Sequence, residues 1–285
     1  MAKWVRAITG FWLVVGFALG LAVGYILVTR RHHTKFEAIS EYWVYLPTAK
    51  MPDQSELMDR MIGSNPFSQA GRSPIGKKEG LIFSDVRLHT ALILRSKNTN
   101  AFRPDLFETD VDLTAGQLQA LSRSQSIVKV RYVSDQPLPD KRHIQFGIHA
   151  AAAIAALGGG ELIFDVCAER MFDVLELDSE LNTHFDATVS DLHVRTIWSK
   201  SDLGGQAYTR GLTKMGAAEL RSADVSEDQR VLATEVIATA ARKIWDEGKA
   251  PDPFDIEVFH DQFRLLVGGA KDGFCSVRIL RVQAN

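Results

Sequence analysis

Residues 7–28, AITGFWLVVGFALGLAVGYILV, are uncharged and mostly apolar, with Lys3 and Arg6 before them and Arg30, Arg31 and Lys35 after. At about 1.5 Å rise per residue, a helix of that length crosses a hydrocarbon core of about 30 Å. The pattern predicts a transmembrane helix, because lipid offers backbone polar groups no partner outside the segment. A cleaved secretory signal competes with this reading, since Ala18-Leu19-Gly20 and Ala22-Val23-Gly24 have small-x-small spacing. The run exceeds the roughly 7–15 residues of a signal core and keeps a basic flank, which favours an uncleaved span. Gly16, Gly20 and Gly24 recur every four residues and share one stripe. Such a stripe lets two backbones approach, so these glycines are the candidate helix-association residues.

After a charged stem, apolar periodicity alternates between strand and helix. YWVYLP (42–47) reads as a strand, SELMDRMIG (55–63) as a helix, LIFSDV (81–86) and LHTALILR (88–95) as two strands. Thr114–Ser124 reads as a helix and IVKVRYV (127–133) as a strand with alternating faces. That order, β-α-β-β-α-β, predicts a ferredoxin-like arrangement. Beyond Pro137 and Pro139, an Ala-rich helix over 144–157 ends in three glycines, Gly158 to Gly160. Strands are predicted at 161–168, 192–198, 256–260, 263–268 and 274–282, with a long amphipathic helix over 225–247. Asp272-Gly273 supplies a hairpin turn. The expected fold class is α+β. The expected domains are an anchor with its basic flank (1–35), a ferredoxin-like half (36–136) and a second α+β half (137–285).

Charge narrows the class. Residues 36–285 hold 28 basic and 35 acidic side chains, a net charge of −7. That opposes a phosphate-tracking nucleic-acid binder, which needs clustered positive charge. Two cysteines, Cys167 and Cys275, lie in apolar runs and form no metal-type pair. No H-x-x-x-H pair exists to hold a metal, and the reading implies no cofactor.

Motif-like stretches have bland explanations. Gly71 to Lys78 approaches a phosphate-binding loop, but Lys78 stands at the hydroxyl position and Pro74 removes a donor. Asp110-Val111-Asp112-Leu113-Thr114 has the spacing of aspartyl phosphoryl-transfer enzymes, without their buried apolar approach strand. Thr114-x-x-Gln117 reads better as a capping box. Gly158–Gly160 follow a helix and so act as a C-cap, not as a dinucleotide loop.

One further order stands out: Gly159-Gly160-Glu161-Leu162-Ile163-Phe164-Asp165, then Tyr208-Thr209-Arg210-Gly211-Leu212-Thr213-Lys214-Met215-Gly216, then Glu219-Leu220. Over residues 140–250 it resembles an uncharacterised bacterial domain family. In that family an apolar helix ends in Gly-Gly, a strand carries Asp, and a His-Thr-Arg-Gly-Leu stretch leads to Gly and Glu-Leu. Tyr208 stands where the family has histidine, Met215 where it has phenylalanine, and Ala218 where it has proline. The resemblance implies no activity. Read physically, Leu212, Met215 and Leu220 suit a core face, while Arg210 suits a loop anchor or an anion contact.

The sequence therefore points to a single-pass, membrane-anchored interaction or assembly module, without a catalytic constellation. Its expected partners are the bilayer through residues 7–28 and either a second copy or a membrane protein. The candidate interaction residues are Asp165, Tyr208 and Arg210. The tandem Arg30-Arg31 favours the cytoplasmic side for the globular part. The alternative is a membrane-tethered hydrolase, which requires Asp165 or Glu161 to converge with Tyr208 or Arg210 in one pocket.

Overall fold

A computed structural model of the chain describes residues 37–64, 87–107, 113–138, 140–184, 187–201, 204–250 and 254–282. The expected span over 7–28 with Gly16, Gly20 and Gly24, the loop 71–78, the strand 81–86 and the Asp110/Asp112 pair lie outside them. Among the described residues no helix is long and apolar enough to cross a membrane. The expected fold class is corrected in that element, while the α+β mixture of helices and two sheets stands.

The first sheet takes β1 (Ala38–Leu46), β2 (Leu88–Leu94), β3 (Ser126–Ser134), β4 (Leu162–Asp165) and β5 (Arg170–Asp173). Its order is β2-β3-β1-β4-β5, and every neighbouring pair is antiparallel. This corrects the ferredoxin-like expectation as well, because that arrangement sets its first strand between the third and the fourth, whereas here the strand over 88–94 pairs with β3 and not with β1. Here β1 pairs antiparallel with β3 from Ala38↔Ser134 to Leu46↔Ser126. Its other side is taken by β4, which comes from beyond Pro137.

Alternation along β1 divides two cores. Tyr42, Val44 and Leu46 meet helix α3 (Arg142–Gly158), following α1 (Gln54–Ser64) and α2 (Ala115–Arg123) in the chain. Tyr45 joins Phe102, Leu121, Ile127 and Phe164 in the other core. The alanines of α3 let its axis lie close to the sheet, while Ile148 and Ile154 fill the layer between. Burying each such isoleucine stabilises the fold by about 1.5–3 kcal/mol. Gly159 ends α3 in the left-handed region (φ 66°), and its N–H donates to the Ala155 carbonyl. The Thr114–Gln117 capping box is present at the start of α2.

Helices α4 (Val174–Thr183) and α5 (Ser190–His193) lead to the second sheet. It holds β6 (Arg195–Ser201), β7 (Gly204–Arg210), β8 (Glu219–Ser222), β9 (Phe254–Val258), β10 (Asp261–Lys271) and β11 (Phe274–Arg281). The order is β6-β7-β8-β11-β10-β9, with β8 and β11 parallel. Helix α6 (Arg230–Glu247) covers one face. Its Val236, Ile237, Ala240 and Ile244 pack with Ala207, Leu220, Phe263, Leu265 and Val277. Asp272 and Gly273 both take positive φ in the turn between β10 and β11.

Candidate functional site

The turn after β7 is built by one buried carboxylate. Glu219 Oε2 accepts from Thr209 Oγ1 (2.7 Å), and Oε1 accepts from the N–H groups of Gly211 (2.8 Å) and Thr213 (3.2 Å). Burial pushes the Glu219 carboxyl up, and these donors pull it back down. Thr209 Oγ1 in turn accepts from the Leu220 N–H (2.8 Å), fastening both ends of the loop. Gly211 holds φ 113°, and a Cβ there would lie 2.0 Å from the His193 carbonyl oxygen, so only glycine fits. The result is a 3-10 turn over Leu212–Met215 that aims Lys214 at the first sheet.

Lys214 is wholly buried and paired with the equally buried Asp165 at the end of β4. Its Nζ lies 3.4 Å from Tyr42 Oη, 3.3 Å from His193 Nδ1 and 3.3 Å from the His193 carbonyl oxygen. The remaining Asp165 oxygen, Oδ1, accepts from the N–H groups of Cys167 and Ala168, each at 3.1 Å. Tyr42 is held protonated, pushed well above its ordinary value by burial and by Asp165. His193 is held neutral, pushed well below its ordinary value by burial and by Lys214.

These protonation states fix the direction of each bond. His193 Nε2 lies 2.7 Å from the Ala187 carbonyl oxygen, which assigns the ring proton to Nε2. Nδ1 is then an acceptor, and Tyr42 donates to it across 3.3 Å. Lys214 has three protons for Asp165, the His193 carbonyl and Tyr42. Every donor and acceptor in the cluster is thereby used. Trp245 stacks on the His193 ring (5.4 Å between centroids, 15° between planes) and donates to the Thr188 carbonyl (2.7 Å). His143 closes the other side, its Nε2 lying 3.0 Å from the Lys214 carbonyl oxygen.

The sequence-predicted residues are thus divided between two places. Asp165 belongs to the buried cluster, and neither Tyr208 nor Arg210 is among its partners. Tyr208 and Arg210 sit on the face of the second sheet away from α6. There the Tyr208 ring meets Phe274 edge-on at 6.0 Å, and Arg210 Nε lies 3.0 Å from Glu169 Oε1. Glu161 is at the surface, paired with Arg123. The convergence that the hydrolase alternative requires is not formed.

Sequence reasoning missed Tyr42, His193 and Lys214, which are up to 172 positions apart. The available signal was Lys214 itself, a cation set between Leu212 and Met215 in a glycine-bounded stretch. Among the described residues no group of His, Cys, Asp and Glu is placed to hold a metal ion. No protein-family model, curated protein or solved structure matches this chain.

Two outcomes are expected from this geometry. Lys214→Met leaves Asp165 buried without its cation and should destabilise the protein by about 3–5 kcal/mol. Adding Asp165→Leu should recover a large part of that loss, because the orphaned charge is gone; urea unfolding of both variants measures it. Acid should also unfold the protein through its buried histidines. His193 and His143 are depressed, and burial lowers His149 to about 4. Below about pH 6.5 the unfolded chain takes up protons that the folded chain refuses, so stability falls with pH. His149 alone contributes a loss of about 2 kcal/mol between pH 7 and pH 5. Glu219, raised by burial, binds its proton earlier in the folded state and offsets part of that loss. Urea midpoints at the two pH values give the net slope, and an unchanged midpoint would contradict the assignment.

Proposed function

We propose that this chain is an interaction module that binds a protein partner through the face of its six-stranded sheet opposite α6. One observation carries the reading: that face combines exposed apolar side chains with arginines. Leu266 and Leu280 are exposed there, and the same face carries Arg221 on β8 and Arg278 on β11. Arginine beside exposed apolar area is the composition that binding surfaces favour. The buried cluster supports the same reading from the other side. Its charged and polar groups are engaged with one another, so it serves as a brace for the surface.

Photo-crosslinking in cells tests this. A benzophenone side chain replacing Ser276, in the middle of that face, should give discrete crosslinked products with another protein. The same group replacing Ser179 on α4 should give none. Equal labelling from both positions, or labelling from Ser179 alone, would overturn the proposal.

A further inference from the structure

The register of the second sheet lays its outward side chains in rows. Tyr208 faces Arg221, and Arg221 faces Ser276. Gly268 lies beside Ser276, close enough that a Cβ on it would come 2.6 Å from Ser276 Oγ. In the next row Arg278 faces Leu266. Ala223, Gly268 and Ser276 are small, and together they floor a groove of about 610 Å³. Its walls are Gln206, Arg221, Arg278 and Leu266.

The two arginines differ from others on the surface. Arg264 grips Asp255 with two hydrogen bonds of 2.8 Å, Arg281 pairs with Asp261, and Arg242 with Glu235. Among the described residues, neither Arg221 nor Arg278 is paired with a carboxylate, though both are exposed. Arg221 is also pre-positioned, its guanidinium carbon 3.7 Å from the Phe274 ring centroid. Stacking of that kind leaves the planar edge of the guanidinium free for a bidentate acceptor. Asp224 also lines the groove, where its carboxylate accepts from Ser201 Oγ (3.0 Å) and Gln206 Nε2 (3.2 Å).

We infer that this groove binds an extended acidic segment of a protein partner, with carboxylates at alternate positions. The spacing argues for it. Arg221 faces Ser276 and leans over Phe274, so its guanidinium is offset from Arg278 by four residues along β11, about 13 Å. Carboxylates at alternate positions of an extended chain share one face, and those at i and i+4, about 13 Å apart, match that offset. A single small anion would use one arginine and leave most of the groove unfilled. A protein that is acidic elsewhere has reason to concentrate two unpaired cations where an acidic partner docks, since the remaining surface repels it. This inference rests on the interaction reading above and adds the chemistry of the partner.

The test uses the full chain and a fluorescein-labelled octapeptide of alternating Glu and Ala, followed by anisotropy. Saturable binding that weakens as salt rises is expected, with no binding of the Gln–Ala counterpart. Arg221→Glu and Arg278→Glu should each weaken binding by about tenfold or more, whereas Lys249→Glu, with the same change in net charge, should leave it within about twofold. Circular dichroism on each variant verifies that it is folded. Absence of saturable binding, equal binding of the Gln peptide, or indifference to both arginine reversals would overturn the inference. So would displacement of the peptide by equimolar inorganic phosphate, which would assign the groove to a free anion. If the peptide fails while Ser276 still crosslinks a partner, only the acidic chemistry falls. If both fail, the interaction reading falls with it.

Discussion

The ion pair between Lys214 and Asp165 is the constraint around which the rest of this molecule is arranged. Both side chains are withdrawn from water completely. Removing two such ions from solvent costs several kcal/mol each, and their attraction compensates only when every remaining proton and lone pair is satisfied. The surroundings meet that condition group by group. Cys167 and Ala168 supply backbone N–H groups to Asp165, and the His193 carbonyl and Tyr42 take the other protons of Lys214. Glu219 shapes the turn that delivers the lysine, and Gly211 removes the Cβ that would block it. A half-satisfied version of this network would be worse than an apolar core. Its completeness explains why so many unlike residues from distant positions are held together.

The pair also joins the two sheets. Tyr42 and Asp165 come from β1 and β4 of the first, whereas Lys214 follows β7 of the second and His193 ends the helix before β6. Each sheet has its own apolar core, and the polar cluster lies where these cores meet. The consequence is an asymmetry between faces. β1 is packed on both sides, while the second sheet spends one face on α6 and presents the other to solvent. A rigid sheet braced from behind can hold Arg221 and Arg278 at fixed spacing.

Much of the local structure was legible in the sequence, because it depends on neighbours along the chain. The Thr114–Gln117 cap, the glycine stop after α3 and the Asp272-Gly273 hairpin are all short-range chemistry. What was not legible depends on pairing between distant segments. The element order of the first half suggested a ferredoxin-like sheet, but element order does not state which strand takes the second edge of β1. Strands β7 and β8 escaped notice because GGQAYTR and ELRS lack a clear apolar alternation; their places are set by the sheet around them. Asp165 lies in the buried cluster, whereas Tyr208 and Arg210, expected beside it, face another surface. Arg221 and Arg278 are unremarkable in sequence and become a pair only through the β8–β11 register.

Native-state hydrogen exchange tests most directly whether the buried cluster makes the two sheets one cooperative unit. Amides of Val44 and Val128 in the first sheet and of Leu265 and Ile279 in the second are the reporters. The account predicts that both sets exchange through the same global opening, with protection free energies agreeing to within about 1 kcal/mol. Lys214→Met should lower both sets together. Exchange of one sheet through a distinctly smaller opening, with the other sheet unaffected by that substitution, would contradict the account.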